Sequence, residues 1–261
     1  MSETSPRVVA FDEASAFVLG GTSGIGLAVA RVLQDKGVRR IMLAARNAER
    51  GQAAIEALRG PADIRFIACD ATDGASVAAG VAAAQAAFGA VDIAVSATTA
   101  ETMLGLVGNL EMRDIERGLS GIALPPLYLA KAVLAGMKAR GGGAIVSVAS
   151  DAAKVATPGE AVIGAAMAAI AMFSRTLAME AKRDGIRVNV VTPSLVTGTG
   201  SEQRILASPF AAKIFAKATE KAALGLPDAA EIAELVAYLV SPAAARLTGQ
   251  VVSLNGGISA A

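Results

Sequence analysis

Gly20-Gly21-Thr22-Ser23-Gly24-Ile25-Gly26 is the first segment whose residue types and spacing suit chemistry. It follows a short apolar run, Ala16 to Leu19, and opens a helical run from Leu27 to Lys36. In that context the glycines allow a tight turn and close backbone approach. Gly20, Thr22, Ser23, Gly24, Ile25 and Gly26 then line a helix N-terminus, whose N–H groups and positive dipole end attract a pyrophosphate. A turn that only packs helix on strand fits the same residues. About 20 residues on, a dinucleotide fold selective for NAD places an acid for the ribose hydroxyls. Here the chain reads Ala44-Ala45-Arg46. No acid repels a 2′-phosphate, and Arg46 supplies a cation, so a bound cofactor is expected to be NADP(H) rather than NAD. A solvated arginine at a strand end is the plainer alternative.

Composition narrows the remaining chemistry. The 261 residues include no histidine and a single cysteine, Cys69. A Ser-His-Asp hydrolase cannot be built, the commonest metal ligand is missing, and neither a disulfide framework nor a cysteine-based zinc site is available; no metal is expected. With 24 Lys+Arg against 23 Asp+Glu there is no basic field to hold nucleic acid or an anionic membrane. The mean hydropathy of +0.52 is high, but the longest nearly apolar stretch, residues 161–173, is too short to span a bilayer. The N-terminus lacks a basic-then-apolar signal pattern. A soluble, cytoplasmic protein is the expectation.

The elements that position these residues alternate. Strand-type runs are read at 16–19, 40–44, 64–68, 91–95, 144–148, 186–191 and 250–254. Helical runs lie between them, with Asn47 and Thr72 or Asp73 as caps. Pro126 is expected to kink or break a long helix over 114–138. Such alternation predicts an α/β fold, a parallel sheet covered on both faces. One domain over residues 1–261 is expected.

Four segments together resemble the short-chain dehydrogenase/reductase family over nearly the whole chain. The turn is similar to T-G-x-x-x-G-x-G, with Leu19 in place of Thr. Cys69-Asp70 resembles the strand-three Asp that contacts adenine, and Ala71 follows it. Arg187-Val188-Asn189 with Pro193-Ser194 resembles R-V-N…P-G. Thr248-Gly249-Gln250 and Asn255-Gly256-Gly257 resemble T-G-Q…D-G-G. The resemblance implies a Rossmann-type doubly wound seven-stranded sheet in the order 3-2-1-4-5-6-7. It also implies hydride transfer between a nicotinamide and a carbonyl or alcohol, and oligomers packed through two central helices, here near 114–138 and 158–183.

The family's tetrad of Asn, Ser, Tyr and Lys carries over at one position only, Ser150 as the catalytic Ser. The Tyr position falls on Ile163 and the Lys position on Met167, while the Asn position falls on Ile122. No Tyr or Lys lies between Val155 and Ala181, so no shift within that helix restores the pair. Ser96-Ala97-Thr98-Thr99 replaces N-N-A-G. Gly198, flanked by Thr197 and Thr199, takes the place of the Thr that contacts the carboxamide. The expected function is therefore a non-catalytic subunit of a heteromeric NAD(P)-dependent alcohol/ketone dehydrogenase, possible hydroxyacyl-CoA enzymes included, assembled with an active paralogue. Two alternatives stand beside it: an NADP(H)-dependent oxidoreductase with an altered acid–base site, and a nucleotide or small-ligand binding module. Weak or lost cofactor binding stays open. Ser150 has a plainer reading as a strand-end cap. Asp151, Lys154, Glu160 and Glu101 read as solvated loop charges.

Overall fold

The computed structural model describes residues 7–98, 104–207 and 209–260. Seven parallel strands form one sheet in the order β3-β2-β1-β4-β5-β6-β7. They are β1 Ser15–Leu19, β2 Arg40–Ala45, β3 Asp63–Ala68, β4 Ile93–Ser96, β5 Gly143–Val148, β6 Ile186–Thr192 and β7 Val251–Ser253. The central strands read as unbroken apolar runs because both faces are covered; every residue of β1 is buried.

One face carries α1 (Gly24–Asp35), α2 (Ala48–Ala57) and α8 (Ala229–Val240), whose Val29, Leu33, Ile232 and Val236 pack over Val18, Ile41 and Val95. The other carries α3 (Gly74–Phe88), α4 (Met112–Ala139) and α5 (Ala161–Ala181), with Val77, Leu129, Val133 and Leu177 over Phe17, Met42 and Ile145. Asn47 caps α2 by accepting from the Arg50 N–H at 2.8 Å. Of the two candidate caps for α3, it is Asp73 that accepts, from Ala75 N–H at 2.9 Å. The R-V-N segment seats the last strand. Asn189 donates to Leu247 O and accepts from Gln250 N–H, and Arg187 donates to the carbonyls that end α8.

Two expectations need correction. Of the kink or break expected at Pro126, the break does not occur: α4 runs through Pro125 and Pro126 as one 28-residue element. Burial of Ile122 and Ala123 before the prolines, and of Leu129, Ala130 and Val133 after them, clamps both halves to the sheet. That packing outweighs the roughly 3 kcal/mol a proline costs a helix. The apolar stretch at 161–173 is too short alone to span a bilayer, but the helix that contains it is not. Met112–Ala139 and Ala161–Asp184 are both long and apolar enough to cross a membrane by length and composition. Here they pack on each other, and α5 packs on β6 as a covering helix.

The strand order reverses between β1 and β4, which makes the C-terminal ends of those strands a topological switch point. Open α/β sheets bind ligands at such a switch point. The candidate residues at 20–26, 46, 70 and 150 all follow strand ends on that side.

Candidate functional site

The glycine-rich turn leaves β1 with Gly20 N–H donating to Ala44 O at 2.8 Å. Gly20 has φ +82°, and a Cβ there would stand 2.7 Å from Ala97 O. A Cβ on Gly26 would stand 2.2 Å from Gly20 O. Both positions exclude side chains for backbone reasons. Ser23 is the extended N-cap residue of α1, yet its side chain makes no capping bond, and the first turn holds no acid. The leading N–H groups of α1 therefore lack a side-chain acceptor, which is the electrostatic condition for an anion. The loop after β6 lies close by, with Thr199 Cγ2 3.8 Å from the Cβ position of Gly24. Thr22 and Ile25 are partly buried in the same turn.

At the next strand ends, Arg46 is exposed at the exit of β2 and Asp70 is exposed after β3. Asp70 Oδ1 accepts from the Thr72 hydroxyl at 2.7 Å and the Thr72 N–H at 2.9 Å. Those two bonds, aided by the Arg46 charge, hold the Asp70 carboxyl below its usual range. Ala71 is half-buried beside it.

The fold gathers Ile122, Ile163 and Met167, the residues that the resemblance aligns with Asn, Tyr and Lys, around one apolar cluster. Ile122 from α4 and Ile163 from α5 are 6% and 7% exposed and share one cluster with Ala149, Ala166, Ile170 and Val190. Met167, Leu104 and Ala152 pack against it. Ser150 sits beside this cluster, between Ala149 and Asp151. Its hydroxyl accepts from Ala152 N–H at 3.2 Å and so caps the 3₁₀ turn Asp151–Ala153. This matches the capping alternative, and the hydroxyl proton remains able to donate.

The polar groups after β6 are committed locally. Gly198 N–H donates to Glu202 Oε2, while Thr199 donates to Val196 O and accepts from Glu202 N–H as the cap of α6 (Gly200–Leu206). Thr99 and Glu101 lie outside the described residues. Tyr128 packs over Gly74 and Tyr238 is half exposed on α8, so neither enters the cluster.

The expectation of solvated loop charges fails for the three described cases. Asp151 is 5% exposed and accepts from Ser253, Asn255 and Ser259. Lys154 donates to the Ser253 hydroxyl and lies 3.8 Å from Asp151. The two charges thus neutralise each other inside a polar knot. These partners lie about 100 residues away along the chain, which no local pattern reveals. Glu160, the residue before α5, is partly buried. Burial pushes its carboxyl above 4.5, opposed by a hydrogen bond from Thr157.

That shift has a measurable sign. Above 4.5 the folded chain holds the Glu160 proton more tightly than the unfolded chain does. Stability is therefore highest, for this group, below its unfolded value and falls as pH rises through the folded value. Glu160→Gln should flatten that slope and raise Tm at about pH 8 relative to the native chain, with little difference at about pH 4. Parallel melting curves at both pH values would show a hydrated carboxyl instead.

Similarity to known proteins matches this fold. The family model described as "Enoyl-(Acyl carrier protein) reductase" matches residues 20–259. The 3-oxoacyl-(acyl-carrier-protein) reductase of Escherichia coli is 34% identical over 251 residues, covering 95% of this chain and 98% of that protein. The 2-(S)-hydroxypropyl-CoM dehydrogenase 3 of Xanthobacter autotrophicus is 33% identical, covering 93% and 95%. Among solved structures, an NADPH-bound short chain oxidoreductase of Pseudomonas aeruginosa PAO1 with an atypical catalytic center superposes with TM-score 0.87 at 28% identity. The match covers 98% of this chain and 100% of that one.

Proposed function

Since the chain belongs to the short-chain dehydrogenase/reductase family of oxidoreductases, we propose that it is the non-catalytic subunit of a heteromeric NAD(P)-dependent alcohol or ketone dehydrogenase. Enzymes acting on hydroxyacyl-CoA thioesters fall within that class. The observation that carries this reading is the single apolar cluster formed by Ile122, Ile163 and Met167. When a carbonyl accepts hydride, its oxygen must also take a proton. Neither isoleucine nor methionine can donate one, accept one or change charge. Losing a positioned acid–base group removes about 10²–10⁴ in rate.

The nucleotide half of the crevice fits a dinucleotide better than the reactive half does. Gly20 and Gly26 leave room for close backbone approach, the α1 N-terminus has no side-chain cap, and Arg46 and Asp70, exposed after β2 and β3, are the residues this reading gives to a 2′-phosphate and an adenine. A bound nicotinamide supplies or removes hydride; this chain's residues would hold its adenosine end. Ser150 is the aligned tetrad position that keeps its hydroxyl in this reading.

Assembly supplies the missing groups in this reading. The outer face of α5 carries Ala161, Ala165, Ala168, Met172 and Met179, all exposed. Short side chains permit close helix approach, and Met172 and Met179, each about 60% exposed, offer adaptable apolar contact. We place the partner, an active paralogue, on α4 and α5, in a cytoplasmic complex. Native mass spectrometry of the complex from its natural source should find a second chain with Tyr-x-x-x-Lys. Reductase activity should follow that chain. A homo-oligomer with ordinary reductase activity would refute the proposal.

A second reading, an NADP(H)-dependent oxidoreductase with an altered acid–base site, is favoured by the uncapped α1 terminus, Arg46 and the NADPH-bound relative with its atypical center. It predicts that NADPH at 100 times Kd stabilises the chain by about 2.7 kcal/mol. Arg46→Ala should weaken NADPH about tenfold while leaving NADH nearly unchanged, the loss of one exposed charge-assisted contact. An unchanged Tm in excess NADPH would remove this reading.

A further inference from the structure

The polar knot around Asp151 does more than neutralise a buried charge. It connects two parts of the crevice wall that are remote in sequence. Asp151 directly follows Ser150, and its N–H donates to Pro193 O at 2.9 Å. Its Oδ2 accepts from the Asn255 side-chain amide and, at 2.8 Å, from the Ser259 hydroxyl. The Asn255 amide also donates to Ser259 Oγ at 2.9 Å and Ser259 O at 3.2 Å, and Asn255 Oδ1 accepts from Gly257 N–H at 3.0 Å. Residues 255–259 are thus folded into one compact loop on a buried carboxylate.

The same loop holds the far end of the α6–α7 segment. Immediately after α7 (Pro209–Lys221), Leu224 N–H donates to Gly256 O at 3.0 Å. The inner side of this segment is apolar: Leu195, Ala211 and Phe215 are buried together, with Ile205 and Leu226 against them. Leu104 packs against this group and also against the Ile122–Ile163 cluster. Beside it, Gly105 N–H donates to Gly159 O at 2.9 Å. One leucine therefore bridges the underside of α6–α7 and the tetrad positions, while residues 255–259 hold its exit.

We infer that residues 255–259 are a latch, with Asp151 as its keeper, that holds α6–α7 shut as a lid over the apolar cluster. Asp151 is a positioning residue in this arrangement, acting on the lid through the Asn255–Gly256 loop. The inference goes beyond the subunit reading: it describes how the crevice is closed, whatever partner the chain has. Its test needs neither partner nor cofactor, so either idea can fail alone.

Hydrogen exchange on the full chain reads the latch directly. Asp151→Asn keeps the shape but removes the charge and turns one acceptor into a donor facing donors. Amides of 210–224 should then exchange about tenfold faster or more, while those of β1, β2 and β5 keep their rates. Ser259→Ala, a milder change that removes one of the bonds, should accelerate the same amides by a smaller factor. Unchanged lid exchange in both variants would overturn the inference. So would equal acceleration of lid and sheet, which would make Asp151 a support of the whole fold rather than of the lid.

Discussion

Ile163→Ala should destabilise the chain by about 2–4 kcal/mol, the range for a buried isoleucine cut to alanine. The side chain is 7% exposed and shares its cluster with Ile122, Ala166, Ile170 and Val190, so its removal leaves a cavity between α4, α5 and β6. Denaturant unfolding measures the loss as a lowered midpoint with an unchanged slope. The size of the effect separates two accounts of this position. A residue lining an open catalytic crevice gives up little stability when truncated; a residue doing the work of a core does. A loss below about 1 kcal/mol would mean the cluster is an open pocket wall.

Gly26→Ala should cost about 3 kcal/mol and abolish adenine-nucleotide binding. A methyl there meets Gly20 O at 2.2 Å, and the obstruction is backbone, which no rotamer change relieves. Relief requires α1 to move away from β1, separating Val29 and Leu33 from the sheet. Overpacking of a tight core site costs about 1–3 kcal/mol, and a backbone clash lies at the top of that range. The displaced helix would also withdraw the N–H groups at the turn. Thermal melts and ADP calorimetry on the variant check both halves. Native-like stability would show that the turn is loose, and retained ADP binding would show that the nucleotide site lies elsewhere.

Much of the fold was legible because it is written locally. Alternating apolar runs, the Asn47 cap and the glycine turn each depend on neighbours in sequence, and all seven strands lie where their runs predicted, within about two residues. β4 shows the limit: Val91 and Asp92 read as strand, but the ladder registers from Ile93, although Asp92 N–H donates to Ser15 O and Asp92 O accepts from Ala144 N–H. Strand order came from the family resemblance, since periodicity alone does not rank strands. The meeting of Ile122, Ile163 and Met167 was legible for the same reason, through motif spacing. What stayed hidden was contact between distant segments. Asp151 and Lys154 read as loop charges because Ser253, Asn255 and Ser259 are far along the chain. Leu104 carried no signal, since a lone leucine in a loop does not announce that it bridges two clusters.

The proposed non-catalytic role requires that this chain not itself deliver the proton that carbonyl reduction needs. The most direct measurement is reduction of a 3-oxoacyl thioester by the chain purified free of every other reductase, with NADPH and NADH each in excess. The predicted rate is at least about 10²–10⁴ below the ordinary enzymic range of about 1–10³ per second. Turnover within that range, by a preparation containing only this chain, would contradict it.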